Sequence, residues 1–203
     1  MSTFVGVVLT GGSSTRMGRD KSLVEVDGVA LAARVAGALR GAGAVEVLAV
    51  GGDLPRLGAL GCFDRLVPDR WPGEGPLGGI LTALDAAGSR AGLVVVLACD
   101  TPAVSAECPL ALLRGLGSAD VAVGHVGERR QPLTAVWRAR TCRSVLQRAF
   151  DDGERAPRAV LTRLRVVDVD LDEREVADVD RPADLARYAP GARPGDDEHR
   201  RRR

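Results

Sequence analysis

Apolar runs and amphipathic stretches alternate along this chain. Val5–Leu9, Val45–Val50, Leu93–Ala98 and Val166–Val169 are short and rich in Val, Leu and Ala, and each is bounded by Gly, Pro or Asp. Runs of that length and make-up predict buried strands. Between them, apolar residues recur at helical spacing. Leu31, Val35 and Leu39 are four apart, with Ala38 and Ala42 beside them, and Gly41 and Gly43 close that segment. Ile80, Leu81 and Leu84 predict a second helix to about Ala87. A third is expected to open at Pro109 with Leu112, Leu113 and Leu116 inward. Helices over about 141–150 and 157–164 follow.

Shorter features complete the map. Asp27–Gly28 predicts a turn, Leu66–Val67 and Val121–Val123 brief strands, and 54–64 an irregular or helical connection. Trp71–Gly79, WPGEGPLGG, is dense in Gly and Pro and predicts a shaped loop. Residues 124–132 read as a loop ahead of a strand at Leu133–Trp137. VADVDRPADLARY predicts a turn and a short closing helix. Alternating strands and helices from the first residue onward give an α/β fold in three layers, with a mostly parallel sheet and helices on both faces. One domain is expected over 1–189. Residues 190–203 lack the apolar content to pack and predict a polar, disordered tail.

Composition narrows the functional classes. With 203 residues and 45% hydrophobic content there is enough apolar material for one full core, built from aliphatic side chains because aromatics are only 3%. A net charge of +1 argues against nucleic acid and polybasic membrane contact. The four cysteines, Cys62, Cys99, Cys108 and Cys142, form no C-x-x-C pair and read as reduced thiols. No signal sequence or membrane-spanning run is evident, so a cytoplasmic protein is expected.

The chemistry concentrates in VGVVLTGGSSTRMGRDK, residues 5–21. A strand ending at Leu9 delivers Thr10 and the pair Gly11–Gly12, where the missing side chains let backbone N–H groups approach an anion. Arg16 and Lys21 place two cations just behind. The simplest ligand for that combination is a polyphosphate at the carboxyl end of the first strand. It is not a P-loop, since Gly18 is followed by Arg19, and it is not G-x-G-x-x-G, since Gly11 and Gly12 are adjacent. Asp100 follows the most apolar strand and is a hard oxygen ligand suited to Mg²⁺, although an Asp before Thr101–Pro102 also serves as a turn former. Asp180 stands where it would N-cap the helix that Pro182 enters.

LTGGSSTRMGRDK resembles the (L)AGG-x-S-x-R-M-G-x-D-K signature of the molybdenum cofactor guanylyltransferase family, with Thr10 where that family usually has Ala. Three further segments resemble the family in order: the Asp69 and GPLGG region, Cys99-Asp100-Thr101-Pro102, and the Asp178–Leu185 closing element. The resemblance implies a Rossmann-like nucleotidyltransferase fold and transfer of GMP from GTP to molybdenum-molybdopterin with release of diphosphate. It implies that Arg16, Lys21 and Asp100 are catalytic, and that Leu9, Thr10, Gly11, Gly12, Lys21, Asp69, Pro76, Leu77, Gly78, Gly79 and Asp100 bind nucleotide. Mg²⁺ would be held by Asp100, with Asp180 as a second ligand. GERRQPLTAVW, at 127–137, would line the acceptor side, and molybdoenzyme apoproteins or their chaperones would receive the product. One departure bears on the base. The family carries an Asn at the end of its second strand, where this chain has Val50–Gly51–Gly52. Cytidylyl transfer to the same cofactor, or another nucleotidyl transfer, therefore stays open. A nucleotide-binding module without turnover is the alternative from another class.

Overall fold

In the computed structural model, residues 3–11, 20–88, 91–180 and 182–188 are described. The first strand, β1 (Phe4–Leu9), is buried at every position. A single 3-10 turn at Lys21–Leu23 follows, then a small hairpin of β2 (Glu25–Val26) and β3 (Val29–Ala30). Next come α1 (Leu31–Gly41), β4 (Glu46–Val50), α2 (Leu54–Ala59), β5 (Arg65–Val67), α3 (Pro76–Ala87) and β6 (Leu93–Ala98). The second half comprises α4 (Glu107–Gly115), β7 (Val121–Val126), β8 (Arg129–Arg138), α5 (Ala139–Asp151), α6 (Pro157–Val160), β9 (Val166–Asp170) and α7 (Glu173–Val176). A 3-10 helix at Pro182–Tyr188 closes the described chain.

Seven strands form one sheet in the order β5-β4-β1-β6-β8-β7-β9. β5, β4, β1 and β6 run parallel, and β8 runs antiparallel to both β6 and β7. β9 pairs parallel with β7. The sheet is thus mostly parallel, as expected. The parallel half sends the loops after β1, β4, β5 and β6 to one edge. The reversed strand β8 starts at that same edge, and β9 ends there.

Both faces of the sheet are covered. On one side Val5, Val7, Val94, Val96 and Trp137 meet Leu77, Ile80, Leu84 and Leu146. On the other, Phe4, Val8, Val47 and Leu97 meet Val35, Leu39, Cys108 and Leu112. Fully burying an aliphatic side chain of this size contributes about 1.5–3 kcal/mol, which is why short strands with few aromatics beyond Phe4 and Trp137 suffice. Gly6 lets α1 close on β1: a Cβ there would lie 3.0 Å from the Leu39 Cβ.

Three sequence expectations change. The helix α3 begins at Pro76, not after Gly79. Pro76 has its φ pre-set for a first helical position, and Leu77 gains a fully buried seat that a loop would not provide. Residues 124–132 are not a loop but the tip of a β-hairpin turning through Gly127 at φ 58°. Its ladder breaks where Val123 faces Ala135 and Gly124 faces Gln131, so Pro132–Thr134 bulge away from β7. Pro132 has no N–H to give a ladder, which hid the first residues of β8 ahead of the strand read at Leu133–Trp137. Finally, α4 starts at Glu107 rather than at Pro109.

Candidate active site

The described part of the site begins where β1 ends. Thr10 and Gly11 both donate their N–H groups to the Val50 carbonyl, at 3.0 and 3.1 Å. The Thr10 hydroxyl reaches Val50 O at 3.0 Å and Gly51 O at 2.8 Å. The loops after β1 and β4 are therefore stitched together. Gly51, at φ 78°, makes this fit possible: a Cβ there would stand 2.9 Å from Gly11 Cα. Position 51 has no room for a side chain in this arrangement. Gly11 accordingly contributes close approach, since its own N–H is engaged. Gly12 and Arg16 lie outside the described residues.

Lys21 forms the centre. Its Nζ lies 2.8 Å from Asp100 Oδ2 and 2.8 Å from Asp180 Oδ1. The lysine side chain is 12% exposed, Asp100 24% and Asp180 54%. Burial acts to lower the Lys21 pKa, but the hydrogen bonds and charges of Asp100 and Asp180 outweigh it and hold it above its ordinary value. The group is a fixed cation at neutral pH. It is also the only lysine in the sequence, where every other basic side chain except the two histidines is arginine. That was a signal available in the sequence. A compact ammonium with three donors fits between two carboxylates where a flat guanidinium demands a fork.

Asp180 arrives from the far end of the chain. Val179 is fully buried and donates its N–H to the Asp100 carbonyl at 2.9 Å. Glu175 accepts hydrogen bonds from the Ser105 hydroxyl and N–H. Leu185 and Tyr188 pack against Val24, Val26 and Leu31 of the first hairpin and α1. The Asp180 N–H is held by Asp184 Oδ2 at 3.0 Å. Nearby, burial and the like charges of Asp180 and Asp100 push the Asp178 carboxyl up.

Asp69 turns the chain after β5. Its Oδ1 accepts from the Trp71 N–H at 3.0 Å and from the Thr82 hydroxyl at 3.2 Å, and its Cβ stands 3.6 Å from where a Gly51 Cβ would be. Gly78 and Gly79 are buried in the first turn of α3, against Trp71 and Leu9. Leu77 lies wholly in the core, while Pro76 is exposed at the edge. Pro76 also lines a separate apolar cavity of about 380 Å³ with Pro132, Leu133, Arg155, Ala156, Pro157 and Arg158. None of Lys21, Asp100 and Asp180 lines it. Arg129 and Arg130 are both exposed, and Arg130 is paired bidentately with Asp168 at 2.6 and 2.9 Å.

The thiol beside Asp100 is held in its neutral form. Burial and the Asp100 charge raise the Cys99 thiol far above neutrality. Burial likewise pushes Cys108 to about 12 and Cys142 to about 11. Among the described residues no group of three or more His, Cys, Asp and Glu side chains is arranged to hold a metal. The Asp100–Asp180 pair nevertheless suits Mg²⁺, which typically takes one or two carboxylates and completes its shell with water and substrate phosphate. Both carboxylates already converge on one cation.

Comparison with known proteins decides the family. Residues 6–169 match the profile of the MobA-like NTP transferase domain. The chain belongs to the MobA-like NTP transferase family. A probable molybdenum cofactor guanylyltransferase of Pelotomaculum thermopropionicum is 42% identical over 132 residues, 65% of this chain and 62% of that one. One from Opitutus terrae is 36% identical over 194 residues, covering 92% and 95%. Molybdopterin-guanine dinucleotide biosynthesis protein A of Archaeoglobus fulgidus superposes with a TM-score of 0.72 at 25% identity, over 90% of this chain and 95% of that one. As a MobA-like transferase the protein is a nucleotidyltransferase, and the family accounts for its α/β sheet. No helix among the described residues is long and apolar enough to cross a membrane.

Proposed function

We propose that this enzyme transfers GMP from GTP to molybdenum-bearing molybdopterin, forming the guanine dinucleotide cofactor and releasing diphosphate. The observation that carries the reading is the Lys21 ammonium, seated at 2.8 Å from both Asp100 and Asp180 beside the loop that follows β1. The names of the similar proteins support the substrate.

In this reading an oxygen of the acceptor phosphate attacks the α-phosphorus in line. The new P–O bond forms as the bond to the β-phosphate bridging oxygen breaks, and diphosphate leaves. Positioning and charge neutralisation supply most of the rate. Lys21 neutralises the α-phosphate, and Arg16 neutralises the departing diphosphate. Leu9, Thr10, Gly11 and Gly12 form the phosphate edge, while Asp69, Pro76, Gly78 and Gly79 border the base, with Leu77 anchoring that helix from the core. Mg²⁺ bound by Asp100 and Asp180 would supply further neutralisation of phosphate charge. The cavity beside Pro132 and Leu133 is the seat we assign to the acceptor.

A nucleotide panel tests this. GTP, CTP, ATP and UTP are each added with and without Mg²⁺, and thermal unfolding and diphosphate release are followed. A ligand at ~100 times its Kd adds about 2.7 kcal/mol. A GTP-selective, Mg²⁺-dependent rise is expected. The absence of an Asn after β4 keeps one second reading open, CMP transfer, and selectivity for CTP would establish it. No response to any nucleotide would refute both.

A further inference from the structure

Asp20 immediately precedes Lys21, yet it makes no ion pair with it. Its carboxylate faces two other pieces of chain. Oδ1 accepts the Ser22 N–H at 3.0 Å and the Ser22 hydroxyl at 2.6 Å, which caps the short turn that carries Lys21. Oδ2 accepts the Asp53 N–H at 3.0 Å, in the loop after β4. Asp53 in turn caps α2 by accepting the Arg56 N–H at 3.1 Å. One carboxylate thus joins the Lys21 turn to the Gly51–Asp53 loop, with each oxygen committed to a different partner.

We infer that Asp20 is a positioning residue that sets the cation and the nucleotide-facing β4 loop in register. The geometry separates two effects. The Oδ1 bonds fix the backbone from which Lys21 reaches Asp100 and Asp180, and so govern the rate. The Oδ2 bond fixes the loop whose Gly51 lies against Gly11, and so governs nucleotide affinity. Hydrogen bonds are the means, because both Asp20 oxygens are engaged by Ser22 and Asp53 while the Lys21 ammonium lies on Asp100 and Asp180. A neutral acceptor at position 20 therefore preserves the first effect. Asn can cap the turn through its amide oxygen, but its NH₂ would then face the Asp53 N–H, donor against donor. Ser caps the turn and is too short to serve Asp53. Ala does neither.

The assignment of rate and affinity rests on the nucleotidyl-transfer reading, so the test carries two independent readouts. The first is steady-state diphosphate release. Asp20→Asn and Asp20→Ser should raise the KM for GTP about tenfold with kcat within about twofold, the worth of one hydrogen bond to a charged group. Asp20→Ala should also lower kcat, by about a hundredfold, as expected for a misplaced catalytic cation. The second readout needs no turnover. Lys21 is the only lysine, so its acylation by an amine-reactive ester can be followed by peptide mass spectrometry. Acylation should be slow in the wild type and in the Asn and Ser variants, and several-fold faster in Asp20→Ala. If the wild type releases no diphosphate from any nucleotide, the functional reading fails while the acylation comparison still decides the positioning role. Unchanged KM in the Asn and Ser variants overturns the inference, and so does unchanged Lys21 reactivity in Asp20→Ala. An equal fall of kcat in every variant, in step with a lower unfolding midpoint, would mean a purely structural role and overturns it too. Should Asp20→Ala fail to fold, the KM-against-kcat split in the Asn and Ser variants decides alone.

Discussion

The backbone N–H of Val179 donates to the carbonyl of Asp100 across 2.9 Å. That bond joins the end of the central strand to a segment near the other end of the chain. It sets Asp180, one residue on, opposite Asp100 with Lys21 between them. The trio carries one positive and two negative charges, so removing Lys21 leaves two like charges facing each other, whereas removing either carboxylate leaves a one-to-one pair.

Lys21→Ala should abolish diphosphate release while the protein stays folded, because the loss exposes Asp100 and Asp180 to mutual repulsion without opening a core cavity. Lys21→Arg should rescue poorly, since a planar fork does not replace a compact cation. Steady-state assay with a circular-dichroism melt checks both. Recovery of wild-type turnover in the Arg variant would show that charge alone suffices.

The Lys21 pKa lies above its ordinary 10.5 in the folded state. The stability it contributes is therefore fully present below about pH 10.5 and is lost as pH rises through the folded value. Between pH 6 and 9 this ion pair should leave the unfolding midpoint unchanged. Above pH 10.5 the wild type should lose more stability than Asp100→Asn, in which the lysine has one partner fewer.

Asp120 shows the opposite sign. Hydrogen bonds from the Arg165 side chain and N–H hold its carboxyl at about 2, below the ordinary 3.8. Its contribution is present above the unfolded value and disappears as pH falls through the folded one. The Arg165 side chain is 68% exposed, so solvent screening reduces the gain to the order of 1 kcal/mol. Acid titration of the melting temperature should show the wild-type advantage over Asp120→Asn shrinking between pH 4 and about pH 2.

Gly51→Asn would place an Asn in the turn that follows β4, the region where the resemblance expects one. Asn tolerates a positive φ, but its Cβ would meet Gly11 Cα at 2.9 Å. Relieving that contact should cost about 1–3 kcal/mol of stability. The Gly11 loop should move and GTP affinity fall, measurable by calorimetry. A gain in GTP affinity would show that the loops adapt and that the missing Asn limits base recognition.

Gly6→Ala tests the packing of α1. The added Cβ would sit 3.0 Å from Leu39 Cβ in a close-packed layer. A loss of about 1–3 kcal/mol is expected in denaturant unfolding, without change in the KM for nucleotide.

The alternation of apolar runs and amphipathic stretches by itself determined the α/β class, because strands buried on both faces must be apolar throughout and covering helices must be striped. Local signals also picked out Lys21 and Asp100, since each follows a strand whose apolar run ends abruptly in polar, turn-forming residues. Local chemistry failed where packing outweighed composition. WPGEGPLGG looks like a loop throughout, yet the core seat of Leu77 and the close approach of Gly78 to Trp71 go with a helix over its second half. Pro132 hid only the start of β8, Arg129–Pro132, whose pairing with Gly124–Val126 of β7 extends the strand read at Leu133–Trp137. Asp180 and Asp20 depended most on tertiary structure. In sequence Asp180 is a helix-capping residue far from Lys21, and only the buried Val179 and the packing of Leu185 and Tyr188 bring it within 2.8 Å. Asp20 is the Asp of the signature's closing D-K, but its partner is invisible in sequence, and only the closure of β4 against β1 turns it toward Asp53. Periodicity reports which residues avoid water; which polar groups then meet is set by how the elements close on one another.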